Sequence, residues 1–122
     1  MMKKLVALIV VAIVGFTSYA QTAKVEGTPA TIKENVQQGV FTFEMPSSTS
    51  SDEIKRTTSY YVDYFTVDFD ATSKLAKINM IDNSPEGRRV VTRFLLSNKI
   101  SIIEFNGGDY KITEFYDNFM KN

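Results

Sequence analysis

The stretch Val40–Ile54, VFTFEMPSSTSSDEI, decides the fold. Phe41, Phe43 and Met45 fall on one side of an extended chain and Thr42 and Glu44 on the other, which is the period of a strand with one buried face. Pro46 then ends the strand, because it brings no N–H to a ladder. Ser50-Ser51-Asp52-Glu53 has the form of a capping box: the Ser50 hydroxyl accepts from the Glu53 N–H, and the Glu53 side chain reaches back. Strand, Ser-rich turn and helix start are therefore expected in that order.

Working towards the C-terminus, the spacing predicts a first helix from about Ser51 to Tyr61, with Ile54, Thr58 and Tyr61 on one face. A β-hairpin follows. Phe65, Val67 and Phe69 alternate with Thr66, Asp68 and Asp70; Asp70-Ala71-Thr72-Ser73-Lys74 is a turn; Ala76, Ile78 and Met80 alternate with Lys77 and Asn79. Ser84 and Pro85 are N-cap and first residue of a second helix, with Val90, Val91, Phe94 and Leu95 as its buried stripe and Asn98 at its end. Arg88, Arg89 and Arg93 are placed towards solvent. Ile100 to Phe105 is a further strand, Asn106-Gly107-Gly108-Asp109 a turn, and Tyr110 to Phe115 the returning partner. The i, i+4 pairs Phe115/Phe119 and Tyr116/Met120 fit a final helical turn. The sum is an α+β chain on the β-α-β-β-α-β plan of ferredoxin-like domains, a sandwich of one sheet and two helices with a C-terminal hairpin extension, spanning residues 40–122.

Working towards the N-terminus, residues 21–39 read as a polar lead-in. Gly27-Thr28-Pro29 breaks it, and only Val25, Ile32 and Val36 ask for burial. A short edge strand near Val25 and a helical turn over Thr31 to Gln38 are the alternatives. Residues 1–20 read as a secretory signal peptide: a basic start at Lys3 and Lys4, an apolar run from Leu5 to Phe16, and Ser18-Tyr19-Ala20 before a cut at Gln21. That run falls short of the roughly 20 residues needed to cross a bilayer.

Composition excludes several classes of function. Losing Lys3 and Lys4 with the signal turns the balance of 14 basic and 14 acidic side chains into 12 against 14. A net charge near −2 is no footprint for nucleic acid. There is no Cys and no His anywhere. Disulfides, thiolate nucleophiles, the usual general base and the usual zinc ligands are thereby all removed. No Gly-x-Ser-x-Gly or Ser-x-x-Lys activates a serine. Asp68, Asp70 and Thr72 resemble the start of a calcium loop but lack its Gly and its terminal Glu, so they read as surface charges of a hairpin.

Met45-Pro46-Ser47-Ser48-Thr49-Ser50, followed by Ile54, resembles the Met-x-Cys-x-x-Cys loop of heavy-metal-associated domains, with both Cys positions taken by Ser. The turn at Asp70 to Lys74 and the Ser84-Pro85-Glu86 helix start are also similar to that family. The resemblance implies the ferredoxin-like fold and a degenerate site at Met45, Ser47 and Ser50. It also implies loss of the family's metal-carrying activity, since a neutral hydroxyl is a poor ligand for soft metals.

The reading that follows is a non-enzymatic, exported interaction or ligand-binding domain, periplasmic or extracellular. It needs no cofactor, touches neither nucleic acid nor membrane after signal cleavage, and has an unidentified protein partner in the cell envelope. Tyr60 and Tyr64, together with Arg88, Arg89 and Arg93, are the candidate contact residues, Tyr being enriched at interfaces. The alternatives are a metal-handling protein related to heavy-metal-associated domains without their thiolates, using oxygen ligands or a partner's ligands, and an enzyme of unrecognised type.

Overall fold

Phe41 lies opposite Ile78 and Phe43 opposite Ala76 in an antiparallel pair, and all four side chains are buried. Their shared face organises the molecule. The computed structural model describes residues 21–122, and the proposed signal peptide lies outside the described residues. The elements are β1 (Gln21–Val25), α1 (Pro29–Gln38), β2 (Val40–Glu44), α2 (Ser51–Thr58) with a 3-10 turn (Ser59–Tyr61), β3 (Phe65–Asp70) and β4 (Leu75–Met80). They continue with α3 (Pro85–Ser97), β5 (Ile100–Phe105), β6 (Gly108–Lys111) and α4 (Ile112–Phe115), which opens into a π turn (Tyr116–Met120).

The six strands form one mixed sheet in the order β3-β4-β2-β1-β5-β6. β1 runs parallel to β5, and every other neighbouring pair is antiparallel. One face carries Ala23, Val25, Phe41, Phe43, Phe65, Ala76, Ile78, Ile103 and Phe105, and the helices cover it with Ile32, Val36, Ile54, Val91, Phe94, Leu95, Phe115 and Met120. Thr22, Lys24, Thr42, Glu44, Asp68, Lys77 and Glu104 lie on the other face, which is open. This one-sided burial is why β1, β2 and β3 alternate so cleanly.

Local chemistry sets each helix. Ser50 caps α2 by accepting from Glu53 N–H at 3.2 Å, and Asp52 and Glu53 stand in its first turn, where the helix dipole favours them. At its other end the hydroxyls of Thr57, Thr58 and Ser59 donate back to the carbonyls of Glu53, Ile54 and Arg56, and the helix tightens into the 3-10 turn. Ser84 caps α3 through Gly87 N–H at 3.1 Å. In the β3–β4 turn, Asp70 Oδ1 accepts from the N–H of Thr72 and Ser73.

Three expectations are corrected. Residues 21–39 are no lead-in: Thr28 caps α1, Pro29 is its first residue, Gly39 at φ 72° closes it, and β1 lies inside the sheet. The sheet order consequently differs from the ferredoxin-like plan, because β1 separates β2 from β5, and what stands is an α+β fold with a six-stranded mixed sheet. The return strand is shorter than Tyr110 to Phe115, since β6 stops at Lys111 and helix begins at Ile112. Phe115 and Phe119 then pack on Phe105 at centroid distances of 5.5 and 5.0 Å.

Candidate functional site

β3 lies at the end of the sheet, and no described strand pairs with its outer side. The Ile81 N–H donates to the Tyr64 carbonyl at 2.8 Å, which places Tyr64 and Ile81 in a hydrogen-bonded pair. Antiparallel ladders alternate, so Thr66, Asp68 and Asp70 turn their N–H and C=O groups inward to β4. The backbone groups of Phe65, Val67 and Phe69 are left at the free edge. Beside that edge runs a groove of about 500 Å³ between α2 and β3, lined by Ser51, Ile54, Lys55, Thr58, Val62, Val67 and Phe69 among others. Val67 and Phe69 are only partly buried, and Lys74 Nζ stands 5.9 Å from the Phe69 ring centre.

The groove ends at an apolar patch. Tyr60 is 66 % exposed, Val62 59 % and Ile81 61 %, and Tyr64 is also exposed. The 3-10 turn that ends α2 and the residues just after it deliver Tyr60, Val62 and Tyr64, while the hydrogen bond to Tyr64 brings Ile81. Tyr61 faces inward instead, stacked on Phe65 at 5.8 Å. Tyr60 and Tyr64, singled out from the sequence, are thus at the surface beside the groove. Val62, Val67, Phe69 and Ile81 were not singled out as site residues. Val67 and Phe69 have the same alternation as any core-facing strand residue, and only their position on an end strand makes them reachable.

The three arginines do not form one surface. Arg88 is 6 % exposed, against the expectation that it faces solvent. Its Nε donates to the Met120 carbonyl, Nη1 to the carbonyl and Oδ1 of Asn83, and Nη2 to the Lys121 carbonyl. It ties α3 to the C-terminal turn and is withdrawn as a contact residue. Arg89 is exposed in a shallow cleft that also holds Glu86 and Asp117, and Arg93 is exposed farther along α3.

The Ser-rich turn borders a second cavity, of about 360 Å³, lined by Gln21, Ser48, Thr49, Ser50, Glu53, Asn98 and Lys99. Met45 is buried beneath the turn, Ser50 is occupied as the α2 cap, and Ser47 is exposed but does not line this cavity. Ser48 Oγ donates to Gln21 Oε1 at 3.3 Å, and Lys74 Nζ to the Thr49 carbonyl at 2.8 Å. Asn98 Nδ2 donates to Thr57 Oγ1 and to the Phe94 carbonyl, leaving its buried Oδ1 without a hydrogen-bond partner among the described residues. Among the described residues there is no group of three or more Asp and Glu side chains placed to hold a metal ion. Asp70 and Asp82 have pKa values below the ordinary carboxylate range, Asp70 through the N–H groups of Thr72 and Ser73 and Asp82 through the hydroxyl and N–H of Ser84.

Compared with known protein families, with curated proteins and with solved structures, the chain matches none.

Proposed function

We propose that the chain is an exported, non-enzymatic interaction domain whose contact surface is the groove between α2 and β3 together with the Tyr60, Val62, Tyr64 and Ile81 patch. The observation that carries this reading is the coincidence of three features at one edge of the sheet. These are an apolar groove, exposed aromatic and aliphatic side chains beside it, and free backbone donors and acceptors along β3. Exposed apolar groups are ordinary when scattered and point to a partner when they adjoin one another. Export is supported by the pattern of residues 1–20. Among the described residues no helix is long and apolar enough to cross a membrane.

The ferredoxin-like plan belongs to the same proposal. With β1 and the C-terminal β6 left out, the remaining strands read β3-β4-β2-β5, the order of that plan, so β1 is an added strand inserted between β2 and β5 and β6 extends the far end. A thiolate-type metal function gains no support: Ser50 already serves the helix and Ser47 does not share its cavity.

The test is site-specific photo-crosslinking in the native cell envelope. A photoreactive residue at position 62 is expected to give discrete protein adducts, and the same residue at position 42, on the open sheet face, is expected to give none. Equal adducts from both positions, or none from position 62, would reject the groove as the contact surface.

A further inference from the structure

Resting on that reading of the groove, we propose that its occupant is an extended peptide that adds to the sheet as a seventh strand, antiparallel to β3. Its alternate residues are apolar and enter the groove, and the residues between them are basic and lie against Asp68 and Asp70. Three observations point to this occupant. First, β3 is six residues long, contains no Pro, and offers the N–H and C=O groups of Phe65, Val67 and Phe69 to its outer side. Pairing with an extended chain satisfies such groups directly. The opposite edge is a poorer template: β6 has four residues, starts with Gly108 and turns at once into α4.

Second, the two faces of an added strand meet different surroundings. Residues on the covered side meet Val67 and Phe69 from the sheet and Ile54 and Val62 from the helix and the turn that follows it. Lys55, also in the groove wall, is a long side chain whose stem can lie along an apolar partner while its charge stays in water. Residues on the open side meet Thr66, Asp68 and Asp70, all exposed. Lys77 stands across from Asp68 on the β4 side, but nothing described stands on the outer side of either carboxylate. Opposite charges on neighbouring strands attract, and like charges repel.

Third, that charge pattern argues against a second copy of the chain. Two β3 strands paired edge to edge would gather the carboxylates of Asp68 and Asp70 from both copies on one stretch of sheet, with no cation from either added strand.

The experiment uses the purified exported protein, labelled with nitrogen-15, and a blocked eight-residue peptide of alternating valine and lysine. Titration is expected to shift the amide signals of Phe65, Val67 and Phe69 more than those of Thr66, Asp68 and Asp70, because only the first set points outward. N-methylation of the valines should abolish binding, and N-methylation of the lysines should not, since the valines share the groove face and so carry the paired backbone groups. Exchanging lysine for glutamate is expected to weaken binding at least ~tenfold. Val62→Glu, at a position 59 % exposed, is expected to do the same.

Four outcomes would overturn the proposal: no binding, equal binding of the glutamate peptide, shifts confined to β6 or the open face, or shifts of the β3 amides that follow protein concentration without peptide. The last would assign the edge to a second copy. Crosslinks from position 62 with no peptide binding would remove this occupant and leave the groove as the contact surface, whereas loss of both would remove the groove as well.

Discussion

Arg88 is the clearest case of one side chain organising its surroundings. Its guanidinium supplies the carbonyls of Met120 and Lys121 with donors, which the C-terminal turn cannot find within itself. Arg88→Ala leaves the buried Met120 carbonyl unsatisfied and removes the donors from the part-buried carbonyls of Asn83 and Lys121. We expect a loss of roughly 2 to 4 kcal/mol in urea unfolding, with earlier proteolysis after Phe115. Unchanged stability would mean that water replaces the guanidinium freely. Asp70 gives a smaller, pH-dependent effect. Its folded pKa is depressed, so its contribution is fully present above the ordinary value of 3.8 and is lost as pH falls through the lower folded value. The urea midpoint of the wild type should therefore fall more steeply than that of Asp70→Asn between about pH 5 and about pH 2. Parallel curves would show that the turn holds the ionised and protonated forms equally.

Among the elements, α3 shows how a tight approach overrides propensity. Alanine is favoured over glycine inside a helix by about 1 kcal/mol. At Gly87, however, an added Cβ would lie 2.0 Å from the Asp82 carbonyl oxygen, which is backbone and cannot swing aside. Gly87→Ala is expected to destabilise by roughly 1 to 3 kcal/mol, measured by thermal or urea unfolding, and a stabilised variant would disprove the contact. Strand β5 solves a different problem. Ile100 and Ile103 are both buried although they are three residues apart, because the register with β1 slips at Ser101 and returns the chain to the same face.

For the whole molecule, the position of β1 matters most. It joins β2 on one side and β5 on the other, and without it the sheet separates into β3-β4-β2 and β5-β6. A chain shortened to residues 40–122 is expected to lose cooperative unfolding, read as absence of a sigmoidal urea transition and of near-ultraviolet circular dichroism. If the shortened chain still unfolds cooperatively, β1 decorates the sheet rather than completing it. The same architecture sets where function can sit: helices cover one face, polar and charged residues fill most of the other, and the free side of β3 is where groove and backbone are both available.

Much of this could be read locally. The strand Val40–Glu44, the Ser50 cap, the hairpin closed by Asp70, the Ser84-Pro85 helix start and the Asn106-Gly107 turn each depend on a few neighbouring residues, and each lies where the spacing puts it. Two further local signals were present but outweighed. Thr28-Pro29 and Gly39 bracket α1 as start and stop, yet the segment is polar enough to pass for a linker. Arg88 shares a stripe with Val91 and Leu95 at i+3 and i+7, yet its charge suggests solvent. The rest depends on partners distant in the chain. Gln21–Val25 has two core residues, Ala23 and Val25, and becomes central only because Phe43 and Met45 on one side and Ile103 and Phe105 on the other flank it in space. Likewise Val67 and Phe69 carry the pattern of buried strand residues. They border a groove because folding leaves β3 at the end of the sheet, and strand order is decided by which apolar faces pair, not by any short run of residues.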